Sequence, residues 1–385
     1  MEETKKKAKK PTKKRQSNRK TVTALVIFAL LLGLGVINLA AGGTGGEKKP
    51  SVTWKKVLSG QYTQEYEEYR KAGAVGKKGF QAVENSTDTL LGKREINGVY
   101  KGKKHHLFET IEPMDERAVA KNTDVINEFA SQHYNLSAYV MLVPDAANVQ
   151  PDFLPASAVP ENQSAQFETI RKMLEEGVTW VDAESVLKEH KNEKIYYYTD
   201  EHWTTLGASY GYEALAKTMN LDGSETPKLQ PYVVNNDFNG DLSEKSGYEE
   251  SYTESISIYS AKKVKNNTSL MMTNEDTGKS STSLYDSSKL EKRDKYALFP
   301  GADCGLLDIE TTVDNSQRLL VVKDSFANCL LPFLVSHFRE IVVIDPELYE
   351  GSVQELVQSR NFTQVLFLYS GNSFVTTDKI ENILN

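Results

Sequence analysis

The sequence is poor in the residues that build metal centres and disulfide frameworks. Its 385 residues include two cysteines and six histidines. Cys304 and Cys329 do not form a CxxC pair, and no HxxxH pair or aspartate-rich loop occurs. These absences exclude a zinc ribbon and a disulfide-stapled scaffold, so we expect no metal and no cofactor. Two free thiols are favoured over a single Cys304–Cys329 bridge.

The main part of the chain carries a net negative charge. The net charge is −7, but residues 1–20 hold ten Lys/Arg against two Glu and contribute +8, so the remaining residues sum to −15. Phosphate backbones bind to basic surfaces, and an acidic body disfavours them. Nucleic acid is therefore not an expected partner.

One long hydrophobic run lies near the N-terminus. Residues 21–41 carry no charge and are almost all apolar, and they follow the basic residues 1–20 directly. About twenty residues at 1.5 Å rise cross the roughly 30 Å hydrocarbon core. Basic residues before a span stay in the cytoplasm. We therefore predict a transmembrane helix with a basic cytoplasmic tail and an extracytoplasmic body. A cleaved signal peptide, with small residues at 38–43, is the alternative.

After the span, the chain divides into a tether and one large domain. Residues 42–79 are read as a linker and juxtamembrane segment, and we expect the domain to occupy residues 80–385. Its helical and strand patterns alternate, and strands such as Leu319–Val322 are continuous runs of large aliphatic residues. This predicts an α/β domain with a parallel sheet covered by helices. The polar residues 222–298 are predicted to form a loop-and-hairpin excursion.

The boundaries of individual elements follow from periodicity and turn residues. Helices are predicted over Met114–His133, Asn162–Glu176, Ala183–His190, Thr205–Met219, Phe326–His337 and Val353–Ser359. Strands are predicted over Ala138–Pro144, Thr179–Asp182, Leu319–Val322, Glu340–Ile344 and Gln364–Tyr369. Asn97-Gly98 is a turn pair inside a predicted hairpin.

A serine directly follows one of the predicted strands. Strand Leu319–Val322 is followed by Lys323, Asp324 and Ser325, and then by a predicted helix. Sites in open α/β sheets lie beyond the carboxyl ends of strands, where the N–H groups of the next helix can receive an oxyanion. The glycines of a nucleophile elbow are absent. Capping of the helix is the alternative role for Ser325 or Asp324.

Asp200 and His202 stand two residues apart in the aromatic and β-branched stretch Ile195–Ala208. On an extended chain, such side chains share a face, so the carboxylate can orient the imidazole or both can help to hold a metal. Serine is a poor nucleophile until a base, best oriented by a carboxylate, takes its proton. We predict Asp200, His202 and Ser325 as a split catalytic triad. A packed histidine bonded to a nearby carbonyl is the alternative for His202.

Six short motifs carry a family resemblance. They are Gly92–Lys93, Gly98–Gly102, Pro144, Tyr197–Ala208, Phe238–Leu242 and Lys323–Asn328. Together they resemble the DHHW family of exported bacterial proteins and, more distantly, the alginate O-acetyltransferases of the SGNH hydrolase-like superfamily. The resemblance covers roughly residues 90–385.

The resemblance implies a flavodoxin-like SGNH hydrolase-like fold in which the Asp-x-His pair, Asp200 and His202, precedes the nucleophile Ser325. It also implies transfer of an acyl group, usually acetyl, to a cell-surface polysaccharide. A membrane-bound O-acyltransferase would then be the partner that delivers the acyl group, at the outer face of a bacterial cell membrane.

The sequence departs from the family pattern at two positions. The family usually has a second histidine where this chain has Glu201, and a basic residue often follows the Asp-Pro pair where this chain has Glu347. On an extended segment, Glu201 points away from Asp200 and His202. We therefore expect the triad to be unaffected and the substrate contacts to change.

Three further residues are candidates for substrate contact. Tyr369 and Asn372 lie beyond the end of the last predicted strand, where an ordinary loop role is the alternative. Asn328 lies one helical turn after Ser325, and a structural role is favoured there. Two other functions stay open: a carbohydrate esterase with water as acceptor, and a non-catalytic polysaccharide-binding or assembly protein in which Asp200 and Ser325 are remnants.

Overall fold

The structure is a computed structural model, and it describes residues 95–221, 229–248, 252–261, 268–302 and 304–384. The predicted anchor, the tether and the expected start of the domain at residue 80 lie outside these ranges. Among the described residues, no helix is both long enough and apolar enough to cross a bilayer.

Thirteen strands lie in the described ranges. In chain order they are β1 (Glu95–Ile96), β2 (Val99–Lys101), β3 (Leu107–Glu109), β4 (Ser137–Val143), β5 (Val178–Val181), β6 (Leu229–Phe238), β7 (Glu254–Ala261), β8 (Leu270–Asn274), β9 (Lys279–Ser281), β10 (Leu306–Thr311), β11 (Arg318–Lys323), β12 (Glu340–Ile344) and β13 (Gln364–Ser370).

The α-helices of the same ranges are α1 (Glu116–Gln132), α2 (Ala146–Val149), α3 (Gln163–Met173), α4 (Ala183–Glu189), α5 (Thr205–Met219), α6 (Asp241–Ser246), α7 (Leu331–Leu334), α8 (Val353–Arg360), α9 (Gly371–Thr376) and α10 (Lys379–Leu384). Short 3₁₀ turns span Pro151–Phe153, Ser287–Glu291, Tyr296–Leu298 and Ser325–Ala327.

The main sheet is mixed rather than wholly parallel. Its eight strands run in the order β5-β4-β13-β11-β12-β10-β8-β9. The first five are parallel to one another, whereas β10, β8 and β9 join by antiparallel pairing. The prediction of a parallel sheet is therefore wrong at this edge, because β10, which was not among the predicted strands, pairs antiparallel with β12, and the segment 222–298 supplies β8 and β9 beyond it. Strand β9 is polar, and β8 combines Leu270, Met271 and Met272 with Thr273 and Asn274 and is largely half-exposed, so neither strand has the long aliphatic run of a buried strand.

Alternating residues of the central strands enter two hydrophobic layers. Leu319 and Val321 of β11 face the layer that includes α4 and α5. Leu320 and Val322 face the layer that includes α1, α3 and α8. All four side chains are fully buried, and each such burial contributes about 1.5–3 kcal/mol. The prediction of a sheet covered by helices on both faces is confirmed.

Local capping explains why the long helices begin where the pattern predicts. Asp115 precedes α1, and its side chain accepts the N–H groups of Arg117 and Ala118. Thr204 does the same before α5, where its Oγ1 accepts the N–H of Gly207. At the first hairpin, Asn97 and Gly98 have φ of 51° and 72°, the values that a primed turn requires. The turn pair Asn97-Gly98 and the start of α5 at Thr205 are confirmed, and α1 begins at Glu116, two residues after its predicted start at Met114.

The helix predicted after Ser325 is broken. A 3₁₀ turn at Ser325–Ala327 is followed by the short helix α7 rather than by one helix to His337. Pro332 lies in the first turn of α7 and has no N–H to donate to a preceding turn, so a continuous helix is not formed there.

Both cysteines are free, as predicted, and the structure also shows that both are buried. The Sγ of Cys304 donates to the carbonyl of Leu306 at 3.1 Å, and Cys329 lies beneath Trp203 and Phe326. They behave as small apolar side chains in the core.

Candidate active site

The loop that carries Asp200 and His202 is a tight hairpin. Tyr196 and Trp203 pair across an isolated antiparallel bridge, and the N–H of Tyr197 donates to the carbonyl of His202 at 3.1 Å. Within it, Oδ1 of Asp200 accepts the backbone N–H of His202 at 3.1 Å, which is an Asx turn. The prediction of an extended segment is wrong, because the two side chains meet through this turn rather than on one strand face.

Asp200, His202 and Ser325 form one hydrogen-bonded chain. Oδ1 of Asp200 lies 2.6 Å from Nδ1 of His202, and Nε2 of His202 lies 2.8 Å from Oγ of Ser325. Asp200 and His202 are 4% and 7% exposed, whereas Ser325 is exposed to solvent. These distances are within the reach that a general base and its orienting carboxylate need.

Asp324, not Ser325, caps the turn after β11. Its Oδ1 accepts the N–H of Phe326 at 2.9 Å and its Oδ2 accepts the N–H of Ser370 at 2.8 Å. The hydroxyl of Ser325 is therefore not used as a cap and is available to hydrogen-bond with His202. The N–H of Ser325 opens the 3₁₀ turn, and among the described residues it has no hydrogen-bond acceptor.

Gly240 and Asp241 hold Asp200 from the side opposite His202. The N–H of Asp241 donates to Oδ2 of Asp200 at 3.2 Å. A Cβ placed on Gly240 would overlap the side chain of Asp200, so only glycine permits this approach. Residue-by-residue reasoning missed these contacts; the signal was the motif Phe238–Leu242, which the structure places against Asp200.

Aromatic side chains fix the plane of the His202 ring. Tyr296 stacks on it with a centroid separation of 3.8 Å and an interplanar angle of 15°, and Phe326 lies 4.9 Å away. Trp203 is fully buried and donates its indole N–H to the carbonyl of Phe326 at 2.8 Å. The role of Tyr296 was not visible in the sequence, because it comes from a 3₁₀ turn in the polar excursion.

The electrostatics favour a charged pair. Burial by itself lowers the pKa of His202, but the charge and hydrogen bond of Asp200, with the nearby charges of Glu201 and Asp324, raise this pKa to about 9. Burial by itself raises the pKa of Asp200, but the charge and hydrogen bonds of His202 bring it below its ordinary value. Both shifts favour the imidazolium–carboxylate pair over the neutral pair.

Glu201 faces His202, contrary to the prediction. Its Oε1 lies 4.0 Å from Nδ1 of His202, its side chain is 26% exposed, and its Oε2 is buried without a hydrogen-bond partner among the described residues. The extended geometry that would turn it away is replaced by the bend at Asp200. Burial, and then the charge of Asp200, raises the pKa of Glu201 to about 8.

One group of three potential metal-binding side chains occurs in the described part of the chain. Ligand atoms of Asp200, Glu201 and His202 lie within 4.8 Å of one another. However, Nδ1 of His202 is engaged by Asp200 and Nε2 by Ser325. A metal would have to replace one of these hydrogen bonds, so the arrangement suits proton transfer better than coordination.

The three predicted substrate residues are buried. The Asn372 side chain braces the segment between β3 and α1: its amide donates to the carbonyl of Thr110 at 2.8 Å, and its oxygen accepts the N–H of Glu112 at 2.9 Å. Tyr369 and Asn328 are 3% and 2% exposed. Substrate contact stays a prediction for all three.

Glu347, the other departure from the family pattern, lies in the loop after β12. Its Oε1 accepts the hydroxyl of Thr377 at 3.2 Å. Glu347 is exposed and Thr377 is half-buried, and their contact links the loop after β12 to the chain after α9 without joining the hydrogen-bonded chain of Ser325.

Comparison with known proteins gives one family and several structures. A family model described as DHHW protein matches residues 116–344. A DHHW family protein from Eubacterium siraeum is 23% identical with a TM-score of 0.64, and the alignment covers 75% of this chain and 96% of that one. Bacillus cereus PatB1 is 22% identical with a TM-score of 0.61, covering 73% and 98%. The O-acetyltransferase domain of Pseudomonas putida AlgJ is 16% identical with a TM-score of 0.46, covering 73% and 93%. No curated protein matches. At these identities, the first two structures show that the fold is shared.

Proposed function

We propose that this chain, which belongs to the DHHW family, is an extracytoplasmic acyltransferase that O-acetylates a cell-surface or secreted polysaccharide. The observation that carries the proposal is the hydrogen-bonded chain from Asp200 through His202 to Ser325. It supplies an orienting carboxylate, a base and a nucleophile at the carboxyl edge of a sheet.

The finer fold assignment belongs to the same proposal. Five parallel strands, β5-β4-β13-β11-β12, lie between two helical layers, which fits a flavodoxin-like SGNH hydrolase-like domain. In it, the Asp-x-His pair comes before the serine in the chain. The mixed edge of β10, β8 and β9 is an addition to this core.

The reaction begins with formation of an acyl-enzyme. Neutral His202 takes the proton of Ser325 Oγ, which attacks the carbonyl carbon of the acyl donor. The N–H of Ser325 stabilises the resulting oxyanion, because it has no other acceptor among the described residues. When the tetrahedral intermediate collapses, the bond to the leaving group breaks, and that group takes the proton from His202. An ester on Ser325 remains.

Transfer to the acceptor repeats these steps in reverse. His202 takes the proton of a sugar hydroxyl, whose oxygen attacks the ester carbonyl. The new sugar ester forms as the bond to Ser325 breaks, and His202 returns its proton to Oγ. Asp200 stays ionised throughout and stabilises the imidazolium that forms in each half-reaction.

The exposure of Ser325 supports a polymeric acceptor. Ser325 is exposed to solvent at the carboxyl end of β11. A cavity of about 390 Å³ lies near Arg318 and Glu340, the first residues of β11 and β12. It is therefore at the opposite end of strand β11, about 20 Å from the serine. An open nucleophile can be reached by one unit of a long chain.

The location and partners follow from the N-terminal sequence and the family. We propose that residues 21–41 anchor the chain in a bacterial cell membrane with the catalytic domain outside. A membrane-bound O-acyltransferase would then deliver acyl groups across the membrane to Ser325.

The test uses the full chain in detergent with a chromogenic acetyl ester, compared with Ser325→Ala. The substitution should lower turnover about a thousandfold or more, because the triad acts as a unit. Activity that survives it would contradict the role of Ser325.

The acceptor is tested separately from the nucleophile. Acetylated oligosaccharide as product identifies a transferase, and free acetate alone identifies an esterase with the same triad. Sugar binding without ester cleavage by either form would favour a non-catalytic binding protein.

A further inference from the structure

A fully buried carboxylate anchors the hairpin that carries the base. Glu254, at the start of β7, has a side chain with no exposed surface. Its Oε1 accepts the backbone N–H groups of Tyr198 and Thr199 at 2.8 and 2.7 Å. The same oxygen accepts the hydroxyl of Thr199 at 2.7 Å, and Oε2 lies 2.9 Å from Nζ of Lys194. All of these donors belong to residues 194–199, directly before Asp200.

Thr199 continues this network toward Asp200. Its Oγ1 donates to Glu254 and accepts the N–H of Gly240 at 2.9 Å. Gly240 packs directly on Asp200, and the next N–H, of Asp241, donates to Oδ2 of Asp200. The carbonyl of Thr199 also accepts the N–H of Ser243 in α6 at 3.2 Å. The hydroxyl of Thr199 thus joins β7, the hairpin and the start of α6 at one point.

The burial of Glu254 makes the geometry of the hairpin specific. An ionised carboxylate loses several kcal/mol of solvation on burial unless donors replace the water. Here the donors are two consecutive backbone N–H groups, one hydroxyl and one ammonium group. They reach Glu254 together only when the hairpin has this conformation, so any other conformation leaves the buried carboxylate without them.

We propose that Glu254 and Thr199 are positioning residues, which act through Gly240 and Asp200 to hold His202 within hydrogen-bonding distance of Ser325. They touch neither the substrate nor the reacting atoms. The kinetic consequences rest on the proposed function, whereas the geometric consequence for His202 does not. A displacement of about 1 Å is enough to lower a rate a hundredfold.

The experiment compares Thr199→Val with Thr199→Ser in the full chain. Valine keeps the shape but removes the hydroxyl, so Glu254 loses a donor and Gly240 loses an acceptor. We expect kcat for the chromogenic ester to fall about tenfold to a hundredfold, with KM within about twofold. The acid limb of the pH–rate profile should move to lower pH, because Asp200 is held less closely to His202. Thr199→Ser keeps the hydroxyl, so its kcat and the acid limb of its pH–rate profile should match those of the wild type.

Two further variants separate positioning from folding. Glu254→Gln should reproduce the loss of kcat and the displaced acid limb. Glu340→Gln is the matched control, since Glu340 is also buried and ion-paired, with Arg318 and Arg360, but lies at the opposite end of the sheet. It is expected to lower stability and leave the acid limb in place. A folded Thr199→Val protein with wild-type kcat and limb would overturn the proposal, as would an equal displacement in Glu340→Gln.

NMR titration of the His202 imidazole distinguishes failure of this inference from failure of the proposed function. It needs no turnover. If the wild-type chain neither transfers nor hydrolyses acyl groups, the proposed function fails, but a lower imidazole pKa in Thr199→Val than in Thr199→Ser still supports positioning. Equal pKa values in wild type, Thr199→Ser and Glu254→Gln would overturn positioning, even if Thr199→Val does not fold.

Discussion

Ser325 and the hairpin of Asp200 and His202 are held in place by different kinds of structure. Ser325 follows β11, which lies between the parallel strands β12 and β13 and is fixed by regular backbone pairing. Asp200 and His202 lie in an irregular turn, held by side chains and backbone groups from distant segments. Glu254, for example, is 56 residues from Tyr198.

Because of this difference, substitutions near Ser325 and substitutions near the hairpin should have different effects. Backbone pairing positions Ser325, so a change of a neighbouring side chain alters its chemistry more than its place. Individual polar contacts position His202, so the loss of one contact can displace the base.

The largest effect is expected from removal of the base itself. His202→Ala should lower kcat/KM for ester cleavage about a thousandfold or more, because serine without a base is a poor nucleophile. The double variant with Ser325→Ala should be no less active than either single variant, since the residues act as one unit. Steady-state kinetics measure this. Additive losses would show that the two halves of the site act independently.

Gly240→Ala should have the next largest effect, and it acts on the hairpin alone. The new Cβ overlaps Asp200, so Asp200 or the backbone must move, and kcat should fall about a hundredfold. Gly177→Ala is the matched control, because the nearest atom to a Cβ there is 3.9 Å away and no positive φ is recorded. Equal kcat values for the two variants would mean that the approach of Gly240 does not position the base.

Asp324→Ala tests the half of the site that carries Ser325. It removes the acceptor of the Phe326 and Ser370 N–H groups, and unfolding free energy should fall by about 1–3 kcal/mol. Because β11 keeps its pairing, kcat should fall less than in Gly240→Ala. Urea denaturation and ester kinetics measure the two quantities. A greater loss of kcat than in Gly240→Ala would reverse the contrast between the two halves.

Structure that is fixed by local pattern could be predicted from the sequence, and structure that is held by contacts between distant segments could not. The bounds of α1, α5 and β4 were predicted to within a few residues, because apolar periodicity and caps are local. The position of Ser325 at a strand end followed for the same reason. The broken helix after Ser325 had a visible signal in Pro332, although its effect was not predicted.

The hairpin and the sheet edge could not be predicted from local pattern. The conformation of Asp200 and the orientation of Glu201 depend on contacts with Glu254 and Gly240. These two residues are distant in the sequence and reach the hairpin only in the folded structure. Strand β10 alternates charged Asp308 and Glu310 with aliphatic residues, and Asp308 is accommodated by Arg360, which comes from α8. No short window of sequence contains both partners.

The smallest effect is expected from Glu201→Gln, which changes charge beside the base with little change in shape. His202 must lose its proton to act, so activity of the free enzyme should rise with pH toward the raised pKa of about 9. Burial lowers the pKa of His202, and it is raised first by Asp200 and then, to a smaller extent, by Glu201. Its neutralisation should therefore move the acid limb to lower pH, by less than about one unit, while plateau kcat changes little.

The stability of the protein should follow the same titration. The pKa of His202 is higher when folded than its ordinary value of 6.5, so protonation stabilises the folded chain fully below that value, and this contribution is lost as pH rises through about 9. In Glu201→Gln, the loss that belongs to His202 should occur at lower pH, and the separate loss caused by ionisation of Glu201, whose folded pKa is raised to about 8, should disappear. Urea denaturation from pH 6 to 9 measures it, with Glu310→Gln as a control for charge removal on β10. An acid limb and a stability profile equal to those of the control would show that Glu201 does not act on His202.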